Sequence, residues 1–244
     1  MNASAEQIRD QQKAIWNKFS PGWKKWDPFT MAFLRPMGDA IIAALDLKPN
    51  SAVLDIATGT GEPGLTIAAA HPTSTVIGTD LAEDMLAIAE AHARAAGLTN
   101  YRTQAADVSA LPFPAASFDA ISCRMGFMFF PEMQQAANEI ARVLKPGGRF
   151  ATSVWGAGDK NPWVLTMMGA IQRHVSLPPP VPGAPGMFRC AAPGDDRRLP
   201  ARGRTGRDYG KGYSGTVDLR KRGSILDDDD GRRRAGGGRH EPGR

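Results

Sequence analysis

The run Val53-Leu54-Asp55-Ile56-Ala57-Thr58-Gly59-Thr60-Gly61-Glu62-Pro63-Gly64 constrains this chain more than any other stretch. An apolar segment carrying one acid runs straight into a Gly-rich turn. An Ala-rich helical pattern follows from Leu65 to Ala70. The expected local structure is a strand, a tight loop and a helix N-terminus. Gly59 and Gly61 allow the backbone to come close to a ligand, which a Cβ would obstruct. The helix start offers free N–H groups and a partial positive charge. A plain structural turn would use the same residues. Pro63 falls in the first helical turn, which tolerates proline.

Alternating strand and helix patterns continue downstream. Strands are expected at 51–56, 75–80, 101–105, 118–123 and 149–155, with helices at 82–96 and 131–144. Strands separated by helices imply parallel pairing and a sheet covered on both faces. Residues 5–47 read as two helices broken at Pro21-Gly22, with Ile15, Trp16 and Phe19 on one apolar face. The aromatics there either pack on the sheet or close a lid. Lys145-Pro146-Gly147-Gly148 reads as the turn into the fifth strand. The organisation expected is a helical segment over 1–50, an α/β domain over 51–156, a cap and linker over 157–190, and a basic tail over 191–244.

Gly59-x-Gly61-x-x-Gly64 is, letter for letter, a dinucleotide-binding pattern. Asp80 ends the second strand, where a carboxylate can accept from both ribose hydroxyls of an adenosine. Capping the following helix is the alternative for Asp80. Asp55 argues against a diphosphate, because a carboxylate aimed into that crevice repels anions and suits a cation. The combination Asp55…Gly59-x-Gly61…Asp80…Asp107…Leu-Lys-Pro-Gly-Gly resembles the class I S-adenosylmethionine-dependent methyltransferases, and is most similar to the ubiquinone/menaquinone C-methyltransferase type. The resemblance covers about Gln12 to Arg189.

That resemblance implies a Rossmann-like, open, mainly parallel sheet. It implies S-adenosyl-L-methionine as cofactor, with Asp55, Gly59 and Gly61 cradling its methionine end. By the same likeness Asp107 faces the adenine amino group and Val108 packs on the ring; a loop-capping Asp107 is the alternative. Met85 packs either on adenine or in the core. The cofactor-binding set expected is Asp55, Ala57, Thr58, Gly59, Gly61, Asp80, Leu81, Met85, Asp107, Val108 and Cys123. Ala57 departs from the small residue or Gly that many relatives carry. Phe127, Phe129 and Phe130 either line an acceptor pocket or pack the next helix.

Cys123 and Cys190 suggest neither a disulfide framework nor a zinc site. The four histidines do not cluster with carboxylates, so no metal is expected. No apolar run reaches the ~18 residues of a membrane span, and no signal-peptide core is seen. A soluble cytoplasmic protein is the expectation. Up to Cys190 the chain carries 16 basic and 16 acidic residues, so the net charge of +5 belongs to the tail. That distribution gives no basic stripe for nucleic acid. The acceptor expected is a small, largely apolar molecule, methylated through positioning. His174 is the best of a poor set of candidate bases. A nicotinamide-dependent oxidoreductase is the competing reading, as is a cofactor-binding protein without turnover.

After Gly194 the composition changes abruptly. Five of the last 54 residues are Leu, Ile, Val, Met or Phe, whereas Gly and Arg number twelve each. Such a segment buries too little apolar surface to offset its ordering entropy. The resemblance implies a further helix and two strands, the last antiparallel, and the expectation is that this strand pair is missing. Taking the last two bases of each codon with the first of the next, residues 195–205 can spell Met-Ile-Ala-Ala-Phe-Leu-Arg-Glu-Ala-Gly. That is an amphipathic helix closed by Gly, so the tail reads as translated out of frame. A genuine disordered basic tail is the alternative. The gene decides between them: deleting one base near the Gly194 codon opens that frame or it does not.

Overall fold

The protein's structure, a computed structural model, describes residues 4–177, 183–191 and, for the backbone alone, 213–217. Its centre is a sheet built from β1 (Ala52–Ile56), β2 (Thr75–Asp80), β3 (Tyr101–Ala105), β4 (Phe118–Arg124) and β5 (Leu144–Val154). These five strands are parallel, in the order β3-β2-β1-β4-β5. The order reverses at β1, the switch point where open α/β sheets bind ligands at the strands' carboxyl ends.

Alternate residues of the central strands feed two cores. Val53, Val76 and Ala120 face one cluster with Leu65, Ile67 and Ala89, from α2 (Gly64–Ala70) and α3 (Glu83–Ala95). Leu54, Ile77 and Ile121 face the other, with Ala136 and Ile140 of α4 (Met133–Val143). Burial on both faces explains why β1 reads as an apolar run broken only by Asp55. A short α5 (Pro162–Gln172) follows β5.

Three sequence expectations change. The N-terminal segment is one helix, α1 (Ala5–Leu45), opened by a capping box between Ser4 and Gln7. Pro21, Pro28 and Pro36 interrupt its hydrogen bonding but stay exposed, while the opposite side is held along its length by contacts described below. Lys145–Gly148 is not a turn between elements. It lies within β5 as an irregularity, since Phe118 pairs with Leu144 and Ala120 with Arg149. At the outer edge, β6 (Tyr213–Val217) pairs antiparallel with β5. One antiparallel strand is therefore present where the sequence reading expected the final pair to be missing. The rest of the tail, and with it the disordered or out-of-frame reading, lies outside the described residues. Among the described residues no helix is long and apolar enough to cross a membrane.

Candidate cofactor site

Asp55 sits at the buried centre of the Gly-rich turn. Its side chain is 0% exposed. Oδ2 accepts from Thr58 Oγ1 at 2.6 Å and from the Gly64 amide at 3.1 Å, and Oδ1 accepts from Ser122 Oγ at 2.7 Å. Burial pushes its carboxyl up to about 6 against the pull of these three donors and of Arg124. Thr58 also meets the buried Tyr101 hydroxyl at 3.1 Å. Burial, with Asp55 nearby, raises that phenol above its ordinary range. Asp55 therefore ties the turn to β4 and, through Thr58, to β3. A side chain at Gly78 would collide with Tyr101 Oη, so β2 must be bare where this network crosses it.

The backbone leaves β1 through Ala57 at φ 53° and Gly59 at φ 56°. A Cβ at Gly59 would meet nothing within 4 Å, so this backbone presents an open surface. Ala57 has its left-handed conformation opposite Gly126, where an added Cβ would lie 2.5 Å from the Ala57 methyl and 2.9 Å from Cys123 Sγ. Gly126→Ala is expected to cost about 2 kcal/mol by overpacking. Adding Ala57→Gly should recover part of that, because it removes both the clash and a left-handed Cβ. Denaturant unfolding of the two single variants and the double variant checks the coupling; additive effects would deny the contact.

Asp80 closes the other side of the turn. Oδ2 accepts from the Gly59 amide at 3.0 Å and Oδ1 from the Ala82 amide at 3.0 Å. Burial raises its carboxyl pKa above the usual range. Each carboxylate oxygen has a second lone pair, so capping and ligand binding are compatible here. Asp107 accepts from Ser109 N and Oγ, both at 2.8 Å, and pairs with Arg9 Nε at 3.1 Å.

Arg9 belongs to α1, which crosses the carboxyl ends of the strands. Lys13 pairs with Glu83 at 2.8 Å. Asn17 Oδ1 accepts from the Asp84 amide, and Thr60 Oγ1 donates to Asp27 Oδ1 at 3.2 Å. Trp16 meets Phe129 edge-on at 5.3 Å, and Phe33 lies 6.2 Å from Trp155.

Among the residues expected at the site, Ala57, Gly59, Asp80, Leu81 and Asp107 are partly exposed. Asp55, Thr58, Gly61, Met85, Val108 and Cys123 are buried. Cys123 is fully enclosed, and burial lifts its thiol to about 12, so it carries no thiolate chemistry. Phe127 and Phe130 pack in the core with Phe150 rather than around an opening. Sequence reading missed Tyr101, Ser122, Asp27, Thr60 and Arg9. Only Thr60 had a local signal, its place between the two glycines. Among the described residues no group of His, Cys, Asp and Glu is placed to hold a metal.

The fold is an open α/β sheet whose strand order reverses at β1, with the Gly-rich turn at that strand's carboxyl end. Residues 53–148 match the family described as a methyltransferase domain. A demethylmenaquinone methyltransferase of Thermus thermophilus is 44% identical over 142 residues, covering 58% of this chain and 64% of that protein. An uncharacterised protein of Mycobacterium tuberculosis is 38% identical over 135 residues, covering 54% of this chain and 48% of that protein. The chain thus spans about half to two thirds of the length of these curated relatives. The crystal structure of a candidate S-adenosyl-L-methionine-dependent methyltransferase from Methanococcus maripaludis shares the fold. Its TM-score is 0.52 at 22% identity, over 65% of this chain and 72% of that one. Residues 53–148 are thus similar to methyltransferase domains, and the chain is similar over 142 residues to a demethylmenaquinone methyltransferase.

Proposed function

We propose that the protein transfers the methyl group of S-adenosyl-L-methionine to a small, largely apolar acceptor. The observation that carries this reading is Asp80, held by the Gly59 and Ala82 amides at the mouth of an open Gly-rich turn. The bound cofactor supplies a sulfonium, an electrophile already activated for in-line displacement. The chain's residues supply binding and alignment, and holding the two reactants together supplies on the order of several kcal/mol. Asp80 orients the ribose and Gly59 exposes backbone toward the methionine end. Asp55, below the turn, keeps an anion-repelling charge there at neutral pH. In this reading α1 is the lid, since Asp27, Asn17, Lys13 and Arg9 fasten it across the crevice.

The apolar acceptor is supported by the aromatic surroundings where α1 meets the ends of β4 and β5, with Trp16 against Phe129 and, separately, Phe33, Trp155 and Trp163 in mutual contact. A panel of acceptors with S-adenosylhomocysteine release as readout tests it. Methylation of quinone-like or aromatic compounds is expected. Methylation of tRNA or DNA with none of these compounds would overturn the acceptor class. Enhancement of NADH fluorescence, with no displacement by S-adenosylhomocysteine, would overturn the cofactor.

A further inference from the structure

Arg124 is the last residue of β4, beside the carboxyl end of β1, and its side chain is partly buried. Among the described residues its one hydrogen bond is a weak one, from Nη2 to the Met31 sulfur of α1 at 3.4 Å. Among the described residues no carboxylate comes within ion-pairing distance of it. A guanidinium has five N–H donors, and burying them with a single thioether acceptor is costly. Burial accordingly lowers its pKa. The side chain reaches toward the Gly-rich turn: its Cδ and the Pro63 Cβ both lie about the open side of Gly38. Around it are Asp55, Glu62 and Asp27, the acids whose charge it feels.

One cation with unused donors beside a set of acids, at the Gly-rich turn, is the complement of a zwitterion. We propose that Arg124 binds the α-carboxylate of the cofactor's amino-acid end, while Asp27 and Glu62 face its ammonium. This rests on the cofactor reading above and goes beyond it. It assigns a recognition residue that neither the turn nor the ribose-binding acid supplies. It also involves the lid, because Asp27 reaches the turn through Thr60 and Met31 contacts Arg124 from the same helix.

Calorimetry with two ligands tests the proposal. S-adenosylhomocysteine carries the amino-acid end, and 5′-methylthioadenosine is the same nucleoside thioether without it. Arg124→Met, with folding checked by circular dichroism, is expected to weaken S-adenosylhomocysteine at least tenfold, in line with a lost charge-assisted hydrogen bond. Affinity for 5′-methylthioadenosine should stay within about twofold. Arg124→Lys keeps the charge without the fork and should recover part of the loss. Equal weakening of both ligands, or of neither, overturns the clamp while the cofactor reading stands. Wild-type protein that binds neither ligand overturns the cofactor reading and the clamp with it. If Arg124→Met does not fold, Arg124→Lys carries the same comparison.

Discussion

Asp55→Ala is expected to lower the unfolding free energy by about 3 kcal/mol or more. The change strands the Gly64 amide and removes the acceptor of the Thr58 and Ser122 hydroxyls, all at a fully buried position. That is a large share of a typical domain's total stability of roughly 5–15 kcal/mol. Asp55→Asn keeps the volume but cannot ionise, and it isolates the charge. The wild-type carboxyl titrates at about 6 in the folded protein and at about 3.9 when unfolded. A raised folded pKa means that the native state holds the proton more tightly. The resulting stability is complete below pH ~4 and is lost as pH rises through ~6. Relative to Asp55→Asn, wild type should therefore lose on the order of 2–3 kcal/mol between those limits. Urea unfolding of both proteins at pH 4, 5, 6 and 7 measures it. A pH-independent difference would show that Asp55 is not titrating from a buried, bonded position. What the molecule keeps at neutral pH, at this cost, is a fixed negative charge beneath the Gly-rich turn.

Much of the fold was legible because its signals are local. β2 and β3 begin and end where apolar alternation and flanking Gly, Pro and Asn residues place them. The helices after β2 and β4 follow from spacing. α1 was not legible as one helix. Pro21-Gly22 reads as a break, and what bridges it is tertiary: Asp27 on Thr60, Asn17 on the start of α3, Phe33 on Trp155. Such partners lie 33 to 122 residues away in sequence and leave no periodicity. Lys145-Pro146-Gly147-Gly148 has the composition of a turn, yet β4 pairs with residues on both sides of it. β6 lies in a stretch whose composition argues against order, and no pattern there announces a strand.

At the site, position was more legible than role. The Gly-rich turn and the acids at strand ends stand out in sequence. The structure shows what each acid already holds. Asp55 is spent on the turn's Thr58 and Gly64 and on Ser122 of β4, and Asp107 on Ser109 and Arg9. Tyr101 and Ser122 stand 46 and 67 residues beyond Asp55, and only strand register brings them beneath the turn. Arg124 ends β4 at the carboxyl rim of the sheet, but its sparse bonding appears only when α1 is laid over it.

Asp80→Ala is expected to weaken S-adenosylhomocysteine by about 100-fold. Two hydrogen bonds from ribose hydroxyls to one carboxylate, at roughly 1.5 kcal/mol each, amount to that factor. Asp80→Asn retains one acceptor oxygen and should lose about tenfold. The backbone donors at Gly59 and Ala82 shape the site whether or not ligand is bound, so loosening of the turn must be separated from loss of ribose contacts. Adenine alone makes the separation: a disordered turn weakens adenine as well, whereas lost ribose bonds leave it unchanged. The carboxyl also sets the direction of the pH response. Burial raises its pKa, and a protonated acid is a poorer acceptor for two hydroxyls. Wild-type affinity should therefore fall as the solution is acidified, and Asp80→Asn should show less of that fall. Calorimetry on folded protein reads all three effects. Unchanged affinity in Asp80→Ala would remove Asp80 from the ribose and leave it as the cap of the Gly59 turn and of α3.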